Sequence, residues 1–262
     1  MPLPILSSLA KQILVSTLLS TTVFSIYAQP ANREIVNQPI EWFSLASSIK
    51  IHNRVSLIAD GQFRYTQSFD PMQFQARTGI DFHLNKHLSV LAGYVYTWNP
   101  KYGKQPAAFV NNEHRIYEQL NYKHSVGKFT LSHRIRIEQR YIQVHSVDQG
   151  GIIYDNGYSM HVNRGRYRFN AVVPIKREKL DAKSFFLNVY DEVFISWGSP
   201  ITFHEPDQNR IFIGSGYQFT KLVNIQVGAI YQMLIKANGA KQENNVGFQV
   251  QFNYNFDLTG KE

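Results

Sequence analysis

The chain has no cysteine among its 262 residues. That absence excludes a disulfide-stapled scaffold, and with no cysteine after the apolar leader it excludes a lipid-anchored lipoprotein as well. Charge is scarce: 18% of residues are Asp, Glu, Lys or Arg, below the ~25% usual for soluble domains. With aromatics plentiful as well, at 14% with 18 Phe and 15 Tyr, this composition excludes a disordered chain and a coiled coil. Past the leader, no apolar run reaches the ~18 residues of a membrane-spanning helix, and a sustained 3.6-residue repeat is missing too. Basic residues outnumber acidic ones by 27 to 19. No basic helix or stacking platform accompanies them, so no nucleic-acid partner is expected.

Residues 1–28 read as a cleaved secretory signal. Lys11 is its only charge, Ile13 to Phe24 is mainly apolar, and Ala28 offers a small residue for cleavage. The expected organisation is then an N-terminal segment over 29–39, a single β-barrel domain over 40–257 and a short tail over 258–262.

The body alternates with period two in segments of strand length, separated by turn residues. The expected spans are 40–51, 54–68, 73–84, 88–99, 111–124, 128–144, 162–175, 184–197, 209–220, 222–236 and 244–257. The last is the cleanest: Val246, Phe248, Val250, Phe252, Tyr254 and Phe256 share one face, and Gly247, Gln249, Gln251, Asn253 and Asn255 the other. Short links around 52–53, 85–87, 125–127 and 221 alternate with long ones through 100–110, 145–161, 198–208 and 237–243. Short turns at one end and long loops at the other match an antiparallel up-and-down transmembrane β-barrel. Such barrels carry an even strand count, so about 12 strands are expected (10–12), the extra one lying in Asn32–Gln38 unless that segment threads the lumen.

Alternation alone does not say which face points inward. The basic residues decide it. Arg64, Arg77, Arg115, Arg134, Arg136, Arg140, Arg164, Arg166, Arg168 and Arg210 all lie on polar strand faces, whereas the lysines past the leader lie in loops, turns, strand ends or the tail. Ten arginines facing lipid, at ~2–4 kcal/mol each near the midplane, would cost tens of kcal/mol. The polar face must therefore line the lumen. Asp60, Asp81, Glu113, Glu138 and Glu192 share it, and together these fifteen residues form the expected lumen charge network. Tyr94, Tyr96, Trp98, Tyr254 and Phe256 are candidates for interfacial girdles. Glu118 and Asp191 fall on the apolar face, which requires either a β-bulge or a place near an interface.

Motifs for metal, phosphate or cofactor binding are missing, so neither a cofactor nor a metal site is expected, and no catalytic residue is assigned. His114 and His133 have lipid-facing parity on neighbouring strands and Ser215 has it elsewhere, but no spacing ties them into a triad. Gly214 and Gly216 stand on the polar face, where a small residue admits bulky neighbours.

The run His133-Arg134-Ile135-Arg136-Ile137-Glu138-Gln139-Arg140 followed by Arg164-Gly165-Arg166-Tyr167-Arg168 resembles the DUF2490 family of bacterial proteins. Glu113-His114-Arg115 upstream of Gln119-Leu120, Glu192-Val193-Phe194 and Asn209-Arg210 resemble its pattern too, from Trp42 to Phe256 in all. Ser196 departs from the Asn expected after the Glu-x-Phe element. The resemblance implies an outer-membrane-type barrel and transfers no activity. The expected role is structural, or that of a narrow porin-like pore for small anions in a Gram-negative outer membrane. The expected partners are the lipid bilayer, lipopolysaccharide, the outer-membrane assembly machinery during biogenesis and small anions. A lipid-modifying enzyme, or a surface receptor using the long loops, is the alternative.

Overall fold

The computed structural model describes residues 33–199, 201–202 and 206–260; the leader expected over 1–28 lies outside them. The chain divides into Met1–Arg33 and Glu34–Glu262, and the second unit is a closed barrel. Its strands are β1 (Glu34–His52), β2 (Val55–Thr66), β3 (Asp70–His83), β4 (Leu88–Asn99), β5 (Asn111–Val126), β6 (Phe129–Val147), β7 (Ile153–Pro174), β8 (Ser184–Trp197), β9 (Pro206–Gln218), β10 (Val223–Ile235), β11 (Lys241–Tyr254) and the two-residue β12 (Phe256–Asp257).

Consecutive strands from β1 to β11 pair antiparallel. The barrel then closes through a parallel pairing of β1 with β11, in register from Glu34↔Lys241 to Ala46↔Asn253. The count lies within the expected 10–12 strands, but the closure corrects the preferred even count of 12 and the expected wholly antiparallel topology. Eleven strands make the wall, and β12 only extends the seam through Ile49↔Phe256 and Lys50↔Asp257. Residues 34–38 are the start of β1 and not a further strand. The reason for the parallel seam is parity. An odd number of up-and-down strands returns with the last running in the direction of the first, so closure must be parallel. β1 accordingly starts at the end that carries the β4–β5, β6–β7, β8–β9 and β10–β11 connections. The loop expected over 145–161 is largely sheet, because β6 and β7 continue as a ribbon to a turn over 148–152.

Register fixes the geometry. Stepping across paired residues from Lys50 through Ser56, Asp81, Leu91, Gln119, Arg136, Arg166, Phe194, Gln208, Leu234 and Glu243 returns to Val36, fourteen residues back along β1. With strands ~4.8 Å apart that stagger gives a tilt of about 42° and a backbone radius of about 11.5 Å.

The wall is apolar outside and polar inside. Phe63, Ile80, Ile213 and Val246 are exposed, with Ile213 at 61%, while Arg64, Arg136, Glu138 and Glu192 are buried. Glu118 and Asp191 do face outward. Pairing on both sides of each is unshifted, and Glu118 stands midway between His114 and Tyr122, so neither a bulge nor a strand end accounts for them. Each has a local donor instead: Gln139 Nε2 to Glu118 at 3.1 Å and Asn209 Nδ2 to Asp191 at 2.6 Å.

Inward glycines on the β9–β11 side make room for rings and for the tightly curved seam. A Cβ on Gly214 would come within 2.5 Å of the Phe212 ring, and one on Gly216 would run into Phe186, as expected of small residues beside bulky ones. A Cβ on Gly247 would run into the Ile40 carbonyl across the parallel seam. Gly247→Ala is therefore expected to lower the unfolding free energy by ~1–3 kcal/mol. Gly61→Ala, whose nearest neighbour is a ring carbon at 3.8 Å, should leave it unchanged; heat-modifiable gel migration across a temperature series compares the two.

Candidate arginine-lined lumen site

Period-two alternation on β5 to β9 aims one polar side chain inward every second residue, and consecutive pairing lays these side chains into one lattice. Glu113 on β5 accepts from Arg115 on its own strand at 2.7 and 2.9 Å, and from Arg140 on β6 through both oxygens. Glu138 on β6 accepts from Arg166 Nη1 at 2.5 Å, with Arg115 and Arg136 each at 3.5 Å. Glu192 on β8 is the most heavily loaded. It accepts from Arg134 (2.6 Å), Arg166 (2.8 Å) and Arg168 (2.7 Å), with Arg210 at 3.8 Å. All three glutamates are buried. Charge-assisted bonds of this kind are what allow so many guanidiniums to leave water.

Asp60 and Arg77 form a separate bidentate pair, at 2.9 and 2.8 Å. Arg164 donates to Ser196 Oγ at 3.0 Å and lies 3.6 Å from Asp207. Asp81 sits apart: it makes no ion pair among the described residues, and its Oδ1 has no hydrogen-bond partner. Arg64 is also outside the lattice. Its donors reach only neutral carbonyl oxygens, on Gln73 (2.5 Å), Gln62 (2.6 Å) and Gln75 (3.4 Å).

Aromatic rings fill the space between the guanidiniums. Arg136 stacks over Tyr117 and Arg168 over Tyr190, both at 4.1 Å, while Arg166 and Arg210 both lie 4.6 Å from Phe194. Trp42 on β1 receives two cations, Arg64 at 4.2 Å and Arg210 at 5.0 Å. Cation–π contact between buried side chains adds to the ion pairs and orients the guanidinium planes.

Between these side chains lie two cavities of different size. The larger, about 710 Å³, lies toward the end with the longer loops; the smaller, about 100 Å³, lies toward the short turns. Arg64, Arg166 and Arg210 line both and so form the partition between them. Arg134 and Arg168 reach only the small cavity, and Arg136 reaches neither.

The loop after β4 folds inward over the large cavity. Tyr102 donates to Glu243 Oε2 at 3.0 Å, and burial beside that carboxylate pushes its phenol well above the ordinary range, so it stays a neutral donor. Gln105 Nε2 donates to the Glu34 carbonyl at 3.1 Å, and the Lys104 amide to Gln38 Oε1 at 3.2 Å. From the loop after β8, Ile201 is buried against the same space.

Sequence reasoning missed Asp207 and Glu243, both buried acids, because it read 198–208 and 237–243 as loops. The all-polar run Asp207–Arg210 has no alternation to betray a strand. It also missed Trp42, Tyr190 and Phe194, although Tyr190 and Phe194 share the parity of Glu192. His114 and His133 face outward, bonded to Tyr94 (2.5 Å) and Tyr167 (2.8 Å) hydroxyls, and Ser215 lies on β9, three strands beyond β6. No cluster of three metal-ligating side chains occurs among the described residues.

Removing the charge of Glu192 leaves Arg134 and Arg168 without their anion and Arg166 with Glu138 alone. Glu192→Gln should cost ~3–5 kcal/mol of stability, read as a lower urea midpoint for unfolding of the detergent-folded barrel.

No curated protein matches the sequence. The family model described as "Protein of unknown function (DUF2490)" matches residues 41–244, the stretch that contains the whole arginine–glutamate lattice. With most of the barrel under that match, the chain belongs to the DUF2490 family.

Proposed function

We propose that the chain is an outer-membrane β-barrel that passes small anionic solutes through a narrow, arginine-lined lumen. The wall supports the membrane part of this reading. Residues such as Leu45, Ile116, Ile137 and Val227 are 45–53% exposed on the outer face, and apolar surface continuous around a barrel has no driving force to form in water. Against lipid the same surface is at home, and the polar groups are enclosed. On the outer face of β5, His114 and Tyr122 bracket Ile116, Glu118 and Leu120. Eight residues at the tilt given above span about 20 Å along the barrel axis, close to the ~25 Å apolar band of outer-membrane barrels. His114 packs against Tyr96 at a tilt and against Tyr158 edge-on, and Tyr122 stacks on His124 and His133, as rings do at two interfaces. On this reading its partners are the bilayer, lipopolysaccharide and, during biogenesis, the assembly machinery.

The observation that carries the anion path is the partition: the residues shared by the two cavities are Arg64, Arg166 and Arg210. A solute crossing the waist must pass between guanidiniums, which favour anions. The side chains also fill that waist, so the resting current is small.

Planar-bilayer recordings test this. The parent barrel should show small, anion-selective currents. Arg64→Ala with Arg210→Ala shortens two of the three waist side chains, so conductance should rise while the reversal potential in a salt gradient moves toward zero. Cation preference in the parent, or no current from either protein, contradicts the proposal.

A further inference from the structure

The large cavity is more than the mouth of a path. Its floor holds two cations whose charge is poorly met. Arg64 is 5% exposed, has no carboxylate within ion-pair distance among the described residues, and leaves its Nε without any partner. An isolated buried charge is among the costlier arrangements in a protein, and an arriving anion relieves it. Arg210 has Glu192 at 3.8 Å, but that carboxylate is already held by three closer guanidiniums. Both cations lie against the one indole of Trp42, which lines the small cavity on the far side of the partition and so backs the pair that floors the large one. The two acids that also line it, Glu113 and Asp207, face their own arginines and do not neutralise this pair.

Above the floor the lining changes character. Met72, Ile142, Val162, Ile201, Leu234 and Ile235 form much of the upper wall. A path for inorganic ions has no use for such a wall, whereas an alkyl chain gains about 0.8 kcal/mol per buried CH₂ from one. At about 710 Å³ the space falls within the ~300–1,000 Å³ of small-molecule sites. Tyr102 and Ile201, brought in by loops, close part of its top.

We infer that this cavity binds an amphipathic anion, a single phosphate or carboxylate head on a short alkyl chain. The head sits on Arg64 and Arg210, whose other side is backed by Trp42, and the chain lies against the apolar upper wall. The inference rests on the reading that the lumen admits anions, and it adds which anions stay.

Trp42 is itself the reporter. In a Trp98→Phe, Trp197→Phe background it is the single tryptophan, since the chain has three. The barrel, folded in neutral detergent, is titrated separately with hexyl phosphate, inorganic phosphate and hexanol. Hexyl phosphate should change Trp42 emission saturably, with half-saturation about tenfold or more below that of inorganic phosphate, and hexanol should not saturate. Arg64→Gln should weaken hexyl phosphate about tenfold or more. Ile235→Asn should weaken hexyl phosphate and leave inorganic phosphate within about twofold.

Equal half-saturation for the two phosphates overturns the inference. So does an Arg64→Gln barrel, shown folded by heat-modifiable migration, that binds within about twofold of its parent. If Arg64→Gln does not fold, Arg210→Gln reads the same arm with the same expected loss and the same overturning result. The two readings fail separately. Saturable binding in a barrel without current removes the permeation path and leaves this site. Current without saturable binding does the reverse.

Discussion

Three buried glutamates, Glu113, Glu138 and Glu192, are the condition on which this inside-out barrel stands. They hold seven of the inward guanidiniums within 4 Å, and without them those buried guanidiniums would face one another with little to offset their like charge. They also lock register. Because side chains alternate across the sheet, a slip of one residue on β6 would swing Arg134, Arg136, Glu138 and Arg140 to the outer face, away from their partners. Such a slip would break at once every bond these four make to other strands. Stability and the polarity of the two faces therefore have the same origin.

The wall is not uniform around its circumference. From β5 to β9 the interior is ionic and aromatic. Across the lumen, amides take over: Asn245 donates to Gln232 at 3.1 Å and Asn188 to Gln226 at 2.7 Å, with Tyr190 donating to Gln249 at 2.8 Å. Here the glycines at 214, 216, 228 and 247 let Phe186, Phe212 and the curved backbone approach, and here the parallel seam closes. The rigid lattice and the crowded seam meet through Trp42, which is on β1 and carries cations from β2 and β9. That contact also defines the waist between the two cavities.

Much of this was legible from residue order. The alternation over 244–257 and 73–84 gave strands and faces directly, and confinement of arginine to mid-strand polar positions gave the direction of the faces. What local pattern could not supply was closure. Residues 34–38 carry mixed polarity, so the start of β1 is silent, and whether they begin β1 or form a further strand is what decides between an odd, parallel closure and an even, antiparallel one. Asp207 and Glu243 were hidden for a similar reason, since inward polar residues at a strand end look like loop. The cavity and its apolar wall belong to a third class. They depend on Tyr102 and Ile201 folding back from loops, and on which guanidiniums find a carboxylate, both of which are set by packing across the lumen.

The most direct test uses the native tryptophans, which the structure distributes between the faces: Trp42 is buried in the lumen, while Trp98 and Trp197 stand on the outer wall. Three proteins, each keeping one tryptophan with the other two changed to Phe, are folded into bilayers containing brominated phospholipid. Strong quenching of Trp98 and Trp197 with Trp42 unaffected is the expected result. Quenching of Trp42, or outer-wall tryptophans indifferent to the brominated lipid, would contradict the account.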